Sequence, residues 1–163
     1  MRILGIDPGT GIMGFGIIEA DKKGKCVLVD GGVIRTPSKE DDADRLGTIY
    51  EELCNIIAET KPTEMAVEKL FFAQNVTTAM TVAQARGVAI VAGKQAGLKI
   101  AEYTPLQIKQ ALTGYGRAEK TQMQEMVRII LGLDPNVFAK AKLPDDCADA
   151  LATAICHANT LRT

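Results

Sequence analysis

The sequence predicts an α/β domain on a mixed five-stranded sheet, in which a three-stranded antiparallel meander is joined by two parallel strands and flanked by helices. Residues 2–35 alternate short apolar runs with tight polar turns, which is typical of a meander. Later apolar runs alternate with helical segments, as parallel strands with crossover helices do. At 163 residues and 47% hydrophobic, the chain can bury one good core, so we expect a single domain over residues 1–163.

The meander begins with a strand predicted at residues 3–6, which ends at Asp7 and a Pro-Gly turn. Proline cannot continue a central ladder, and the glycines of the turn permit a tight reversal. The second strand, residues 14–18, returns antiparallel, and the third covers residues 26–34 after another polar turn. The sequence therefore places Asp7 near the mouth of the sheet.

The parallel part of the sheet begins after a first helix at residues 44–60, whose apolar side chains recur every three or four residues until Pro62 closes it. Residues 65–68 then form a fourth strand that ends at Glu68. A helical crossover normally returns the chain parallel to an earlier strand, and the first strand is the natural neighbour.

The remaining elements follow in the same alternation. Residues 77–95 predict a helix rich in Ala and Gly, which lets another backbone approach closely. The fifth strand covers residues 98–103, and a Thr-Pro pair then opens a helix at residues 105–112. The last two predicted helices are residues 118–131 and 145–160.

The composition argues against several protein classes. With 19 basic and 20 acidic residues the net charge is −1, so any polyanion must be held by a local patch. Four cysteines without C-x-x-C spacing and a lone His157 disfavour a zinc site and predict reduced, mostly buried thiols. No apolar run approaches the roughly 20 residues of a membrane span, and no secretory signal is evident, so we expect a cytoplasmic protein without membrane partners.

Four carboxylates are candidates for a metal site. Asp7 and Glu68 end neighbouring parallel strands, so both should project at the edge where open α/β sheets bind ligands. Asp146 and Asp149 are three residues apart and share one helix face. If that helix crosses the sheet edge, the four acids converge and require bound cations, for which oxygen ligands favour Mg²⁺ or Mn²⁺. Two such ions about 4 Å apart can clamp a phosphodiester for in-line hydrolysis.

Each acid also has a structural explanation. Asp7 could cap the turn that follows it by accepting hydrogen bonds from backbone amides. Glu68 could be an ordinary strand-end acid, and Asp146 and Asp149 could complement the positive end of the helix dipole. Asp145 lies four residues from Asp149 and could share its face, which leaves the register open. The joint placement of the acids is what favours phosphodiester hydrolysis.

The sequence resembles the RuvC family of bacterial Holliday junction resolvases, which are nucleases with a ribonuclease H-like fold. The resemblance spans nearly the whole chain through GIDPGTGIMGFGII, VEKLFFAQN, QARGVAIVA, GRAEKTQ and DDCADALATAI. It implies that Asp7, Glu68, Asp146 and Asp149 are the catalytic acids, holding two Mg²⁺ ions per subunit, for which Mn²⁺ can substitute. Asp145 departs from the commonest family pattern, in which that position is not acidic.

The resemblance also implies a partner and an assembly. The family nicks two strands of like polarity in a four-way DNA junction, during recombination and repair, as a symmetric homodimer. A two-fold protein can address equivalent strands of a two-fold junction with one active site per subunit. We predict the dimer interface on the helix at residues 77–95. The family further suggests association with a branch-migration helicase complex.

Four residues are predicted to contact DNA. The resemblance makes Phe71 the aromatic residue that inserts at the junction, where an exposed ring can stack on an unpaired base. Lys109 and Lys120 match positions that contact DNA in the family, and Arg117 lies close enough to Lys120 to join a phosphate-binding patch. Alternatively, Phe71 and Phe72 belong to the core, and the basic residues are solvated surface charges.

Two other functions compete with junction resolution. ATP-binding proteins of the actin and sugar-kinase class carry a similar GID-x-G-T loop after their first strand. They need a second comparable domain to close over the nucleotide, which 163 residues do not supply. A non-catalytic junction-binding module would keep the fold without the chemistry, and the presence of all four acids argues against it.

Overall fold

The computed structural model describes residues 1–70, 76–138 and 142–162. Its elements are, in chain order, β1 (Arg2–Asp7), β2 (Ile12–Ala20), β3 (Cys26–Arg35), α1 (Asp42–Thr60), β4 (Glu64–Glu68), α2 (Val76–Gln95), β5 (Lys99–Tyr103), α3 (Pro105–Thr113), α4 (Lys120–Leu131) and α5 (Asp145–Thr160). Every predicted element is present, with its ends displaced by no more than two residues. None of the helices described is both long and apolar enough to cross a bilayer.

The sheet has the predicted mixed topology, with strand order β3-β2-β1-β4-β5. β2 pairs antiparallel with β1 and β3, whereas β4 pairs parallel with β1 and β5. Ile6 lies opposite Val67 in the β1–β4 ladder. The next residue of each strand, Asp7 and Glu68, therefore stands at the same carboxyl edge, as the sequence predicts.

The two faces of the sheet carry separate hydrophobic layers. Leu4 and the other apolar side chains on its face of the sheet pack beneath α1 and α2. Ile3 and Ala66, on the opposite face, belong to the layer that contains α5. Side chains alternate between faces along a strand. Asp7 is four residues after Ile3 and Glu68 is two after Ala66, so both acids project towards α5.

Helix α5 lies directly on the sheet because strand glycines leave room for its backbone. A Cβ added at Gly5 would overlap the carbonyl oxygen of Ala150, and one added at Gly14 would overlap that of Asp146. Gly14 is also the register partner of Asp7 in the β1–β2 ladder. The close approach therefore brings the first turn of α5, and Asp146 with it, over the strand pair that carries Asp7.

The far end of α5 is fixed by a buried polar trio. His157 Nδ1 lies 2.7 Å from the Tyr103 hydroxyl, and His157 Nε2 lies 2.9 Å from Glu64 Oε2. All three residues are buried. Buried polar groups are stable only when they are hydrogen-bonded, so this trio ties α5 to the start of β4 and to β5.

The apolar stripe that the sequence shows along α5, formed by Ala148, Leu151, Ala152 and Ile155, accounts for only one of its sides. Helices α3 and α4 cover the side that faces away from the sheet. Buried positions consequently run around the whole helix, at Cys147, Ala148, Ala150, Leu151, Ala152, Thr153, Ala154, Ile155, Cys156, His157 and Ala158. Many of these side chains are small, which is how a helix fits between a sheet and a second helical layer.

We expect Gly14→Ala to destabilise the protein, because the added methyl group would overlap the Asp146 carbonyl oxygen. Overpacking of this kind costs roughly 1–3 kcal/mol, which urea unfolding can measure. Gly11→Ala is the matched control, since a Cβ there meets only the tip of the Arg45 side chain. Equal losses in the two variants would contradict a specific need for close packing at Gly14.

Candidate active site

A cavity of about 310 Å³ opens at the carboxyl edge of β1 and β4, beneath α3, α4 and α5. Its lining combines acidic, basic and apolar side chains: Asp7, Glu68, Asp149, Lys109, Lys120, Pro105, Ile108, Met123 and Ala152. A smaller cavity of about 220 Å³ reaches Asp7 and Glu68 from the side of Pro8 and Leu70. Three of the four predicted acids thus meet in one cavity.

Asp7 has a strongly perturbed carboxyl group. Burial, followed by repulsion from Glu68, Asp149 and Asp146, raises the pKa of Asp7 to about 8, and Lys120 partly opposes the shift. All four predicted acids therefore interact electrostatically at this edge of the sheet. Asp146 does not line the main cavity, but it is close enough to disfavour the charged form of Asp7.

Glu68 and Asp149 respond to the same environment. Burial and the charge of Asp149 raise the pKa of Glu68 to about 7, against the opposing charge of Lys109. Burial also raises the pKa of Asp149, while Lys120 lowers it. Burial is the largest cause of both pKa shifts. Because a nearby positive charge favours the charged form of a buried carboxyl group, a cation would stabilise both acids.

Asp21 shows how a turn-capping acid behaves in the same protein. It lies by a larger groove of about 1100 Å³ at the opposite edge of the sheet. Its Oδ1 accepts hydrogen bonds from the backbone N–H groups of Lys23 and Lys25, at 2.8 and 2.9 Å, and these bonds lower its pKa. The pKa of Asp7 shifts in the opposite direction for different reasons, so the turn-capping explanation of Asp7 is not supported.

Lys120 neutralises part of the acidic cluster. Its Nζ lies 3.5 Å from Asp149 Oδ2 and 3.4 Å from Asp145 Oδ2. Asp145 also accepts a hydrogen bond from Gln124 Nε2 at 2.9 Å, so its exposed carboxylate is directed towards α4. The geometry therefore favours Asp146 and Asp149, not Asp145, as the acids of α5 that face Asp7.

The predicted DNA-binding residues fall into three groups. Lys109 and Lys120 line the cavity with the acids. Arg117 is exposed between α3 and α4 and is not part of the cavity lining. Phe71 and its neighbour Phe72 lie outside the described residues, so their predicted role and its core alternative are not addressed by the structure.

Sequence reasoning missed Arg86, which holds the backbone behind Glu68. Arg86 Nε donates to the Glu68 carbonyl oxygen at 3.3 Å, and its guanidinium forms an ion pair with Glu102. Arg86 belongs to the QARGVAIVA stretch, where the only available signal was family resemblance. Its contacts join segments far apart in the chain and have no local sequence pattern.

The acids fit a divalent cation in chemistry and burial, although not as a closed cage. They offer only oxygen donors, which suit Mg²⁺ or Mn²⁺, and their raised pKa values reflect charge that a cation would stabilise. In the described parts of the chain, no three Asp, Glu, His or Cys side chains are gathered closely enough to hold a metal ion as they stand.

Comparison with known proteins identifies the family. A family model described as crossover junction endodeoxyribonuclease RuvC matches residues 3–157. The chain belongs to the RuvC family. A relative from Halothermothrix orenii, named crossover junction endodeoxyribonuclease RuvC, is 55% identical over 99% of this chain and 94% of its own length.

Solved RuvC structures agree with the fold. A structure of Thermus thermophilus RuvC matches with a TM-score of 0.89 and 38% identity, covering 99% of this chain and 96% of that one. A T. thermophilus RuvC structure in complex with a Holliday junction substrate matches at 0.87 and 34% identity, with the same coverage. The predicted RuvC-family membership and ribonuclease H-like sheet are confirmed.

The raised pKa values predict a pH-dependent stability for this RuvC-family chain. Burial and neighbouring charges raise the pKa values of Asp7 and Glu68 to about 8 and about 7 in the folded protein, against roughly 4 in the unfolded chain. The folded state therefore holds more protons in this interval, and the stability that they contribute is full below about pH 4 and lost as the pH rises to about 8. We expect the unfolding free energy in urea, without divalent cations, to decline across this range.

The control for this prediction compares the substitution of Asp7 with that of a nearby exposed acid. Asp7→Asn should flatten the decline, by at most about 1.4 kcal/mol per pH unit for one proton. Asp145→Asn, which removes an exposed acid of α5, should leave it nearly unchanged. A slope as steep in Asp7→Asn as in the unmodified protein would contradict the assignment.

Proposed function

We propose that this chain is a divalent-metal-dependent endonuclease that resolves four-way (Holliday) DNA junctions by nicking two strands of like polarity. The observation that carries the proposal is the meeting of Asp7, Glu68 and Asp149 in one cavity of a RuvC-family chain. The T. thermophilus RuvC complex with a Holliday junction substrate supports the same substrate here. We further propose that residues 1–163 act as one nuclease domain in recombination and repair.

The proposed metal ligands are Asp7, Glu68, Asp146 and Asp149, which would hold two Mg²⁺ or Mn²⁺ ions per subunit. When bound, such ions activate a water molecule and stabilise the leaving oxygen of the phosphodiester. The protein contributes burial, which removes competing water and strengthens charge interactions around the acids. The apolar walls from α3 and α4 help to create that environment.

Basic residues at the cavity provide the complementary attraction for DNA. Lys109 and Lys120 line it beside the acids, so their ammonium groups can contact phosphate oxygens next to the reacting one. We propose that Arg117 extends this patch on the exposed turn between α3 and α4. We likewise propose Phe71 as the base-stacking residue, on the family resemblance alone.

The acids can be tested one at a time on a synthetic four-way junction with Mg²⁺. We expect Asp7→Asn and Asp149→Asn to reduce nicking by roughly 10²-fold or more, because each removes a half-buried carboxylate ligand of the proposed metal site. Junction binding in a gel shift should change little. ATP hydrolysis without nicking would instead support the actin and sugar-kinase class.

Asp145→Asn is the matched control for these variants. It removes a neighbouring carboxylate that is exposed and directed towards α4, so nicking should stay within a fewfold of the unmodified protein. A loss as large as that of Asp149→Asn would overturn the proposed division of roles on α5. Binding without cleavage by the unmodified protein would support the non-catalytic module.

We also propose a homodimer whose interface includes the face between α1 and α2. This face carries an almost wholly apolar groove of about 540 Å³, lined by Leu46, Gly47, Tyr50, Gln84, Gly87, Val88 and Val91. Val76, Met80 and Val91 of α2 are exposed. Exposed apolar patches of this kind commonly mark protein–protein contacts.

Two helix glycines support this interface. A Cβ added at Gly47 or Gly87 would meet nothing within 4 Å in the described chain. A glycine within a helix costs about 1 kcal/mol relative to alanine, and no contact with another described residue explains either glycine. Close approach of a partner backbone would explain both. Association with a branch-migration helicase complex remains a proposal from family resemblance.

We expect Gly87→Leu to dissociate the dimer without destabilising the folded subunit, because the new side chain enters open space on the proposed interface. Sedimentation at micromolar concentration measures the change. Ala58→Leu adds the same side chain at an exposed position of α1 outside the groove and should leave the dimer intact. A monomeric unmodified protein, or a Gly87→Leu dimer, would refute this interface.

A further inference from the structure

Arg86 links three elements at the point where the chain leaves the candidate active site. It lies on α2, its Nε donates to the carbonyl oxygen of Glu68 at 3.3 Å, and its guanidinium pairs with Glu102 on β5. Glu68 is the last residue of β4, and the N–H of the next residue, Lys69, donates to the Tyr103 carbonyl oxygen at 2.8 Å. The backbone around Glu68 is thus held from both α2 and β5.

The contact acts on the face of the sheet opposite the carboxylate. The Glu68 side chain projects towards α5 and lines the cavity, whereas α2 packs on the other face. Arg86 therefore does not line the cavity described above. Among the described residues, its contact with the site is the hydrogen bond to the Glu68 backbone.

The contacts of Arg86 should matter more for the position of Glu68 than for the stability of the fold. The Arg86 and Glu102 side chains keep 20% and 38% of their surface exposed, and ion pairs with this access to water contribute little to stability. A misplacement of about 1 Å at a reacting group, in contrast, can lower a rate about 100-fold. The main effect of losing Arg86 should therefore appear in the chemistry.

We propose that Arg86 is a positioning residue that fixes the Glu68 carboxylate by holding its backbone carbonyl and anchoring to Glu102. The inference rests on the proposed nuclease function. It also connects the proposed dimer helix to the catalytic strand, because Arg86 lies one residue before Gly87 on α2. Movement of α2 against the sheet would be transmitted to Glu68 by this side chain.

The principal test is Arg86→Met in the full chain, which keeps much of the apolar stem and removes every donor. With enzyme in excess over a synthetic four-way junction, we expect the cleavage rate constant to fall about 10- to 100-fold. The Mg²⁺ concentration for half-maximal cleavage should rise, because Glu68 would hold the ion less well. The dissociation constant for the junction should stay within about twofold.

Arg128→Met is the matched control. Arg128 has the same two kinds of partner, an ion pair with Glu125 and a hydrogen bond from Nη1 to the Leu133 carbonyl oxygen at 3.4 Å. Its side chain is 22% exposed, close to the 20% of Arg86. It touches none of the acids of the cavity, so cleavage and Mg²⁺ dependence should be unchanged.

Two milder variants test the positioning role of Arg86 if Arg86→Met does not fold. Arg86→Lys keeps the charge but cannot bond both partners with one planar group, and Glu102→Gln weakens the anchor while leaving Arg86 in place. Each should lower the rate by less than Arg86→Met and should raise the Mg²⁺ requirement in the same direction. Unchanged rates in both would overturn the proposal.

The remaining outcomes are distinguishable. An Arg86→Met protein that cleaves as fast as the unmodified one overturns this inference and leaves the nuclease function standing. A junction affinity that weakens in proportion to the rate would make Arg86 a DNA contact and also overturn it. Failure of the unmodified protein to nick the junction would refute the proposed function, and this inference with it.

Discussion

The close contact between α5 and the glycines of β1 and β2 is the constraint on which the rest of the molecule depends. Gly5 and Gly14 allow the backbone of α5 to pack directly on the strands. The distance between this helix and the sheet sets how far the acids of α5 lie from Asp7. A larger residue at Gly14 would lift the first turn at the point where Asp146 lies. The position of the candidate site therefore depends on these two glycines as well as on the carboxylates themselves.

This arrangement concentrates negative charge at a cost to stability. Asp7, Glu68 and Asp149 all have raised pKa values because the fold buries them together. Lys120 and Lys109 offset part of the repulsion, and in the proposed function the same lysines attract a phosphate backbone. In the proposed function, cations and DNA would compensate for this repulsion, which is a compromise between stability and activity.

Much of this could be predicted from sequence because the signals are local or periodic. The meander, the crossover to β4 and the three-residue spacing of Asp146 and Asp149 are enough to predict that the acids lie at one edge of the sheet. Sequence alone could not choose between Asp145 and Asp146, since that choice depends on Gln124 of α4, which donates a hydrogen bond to Asp145. The packing of α3 and α4 over α5 could not be predicted either, nor could the hydrogen bond from Arg86 to the Glu68 carbonyl oxygen. Both arise from contacts between segments that are distant in the sequence.

The central position of α5 also bears on how the protein is made. This helix follows every other element along the chain, yet it occupies the middle of one layer and is tied at its far end through His157 to Glu64 and Tyr103. During synthesis one apolar face of the sheet stays uncovered until α5 has left the ribosome. A polypeptide that ended before α5 would lack Asp146 and Asp149, so the acidic cluster around Asp7 could not form in it.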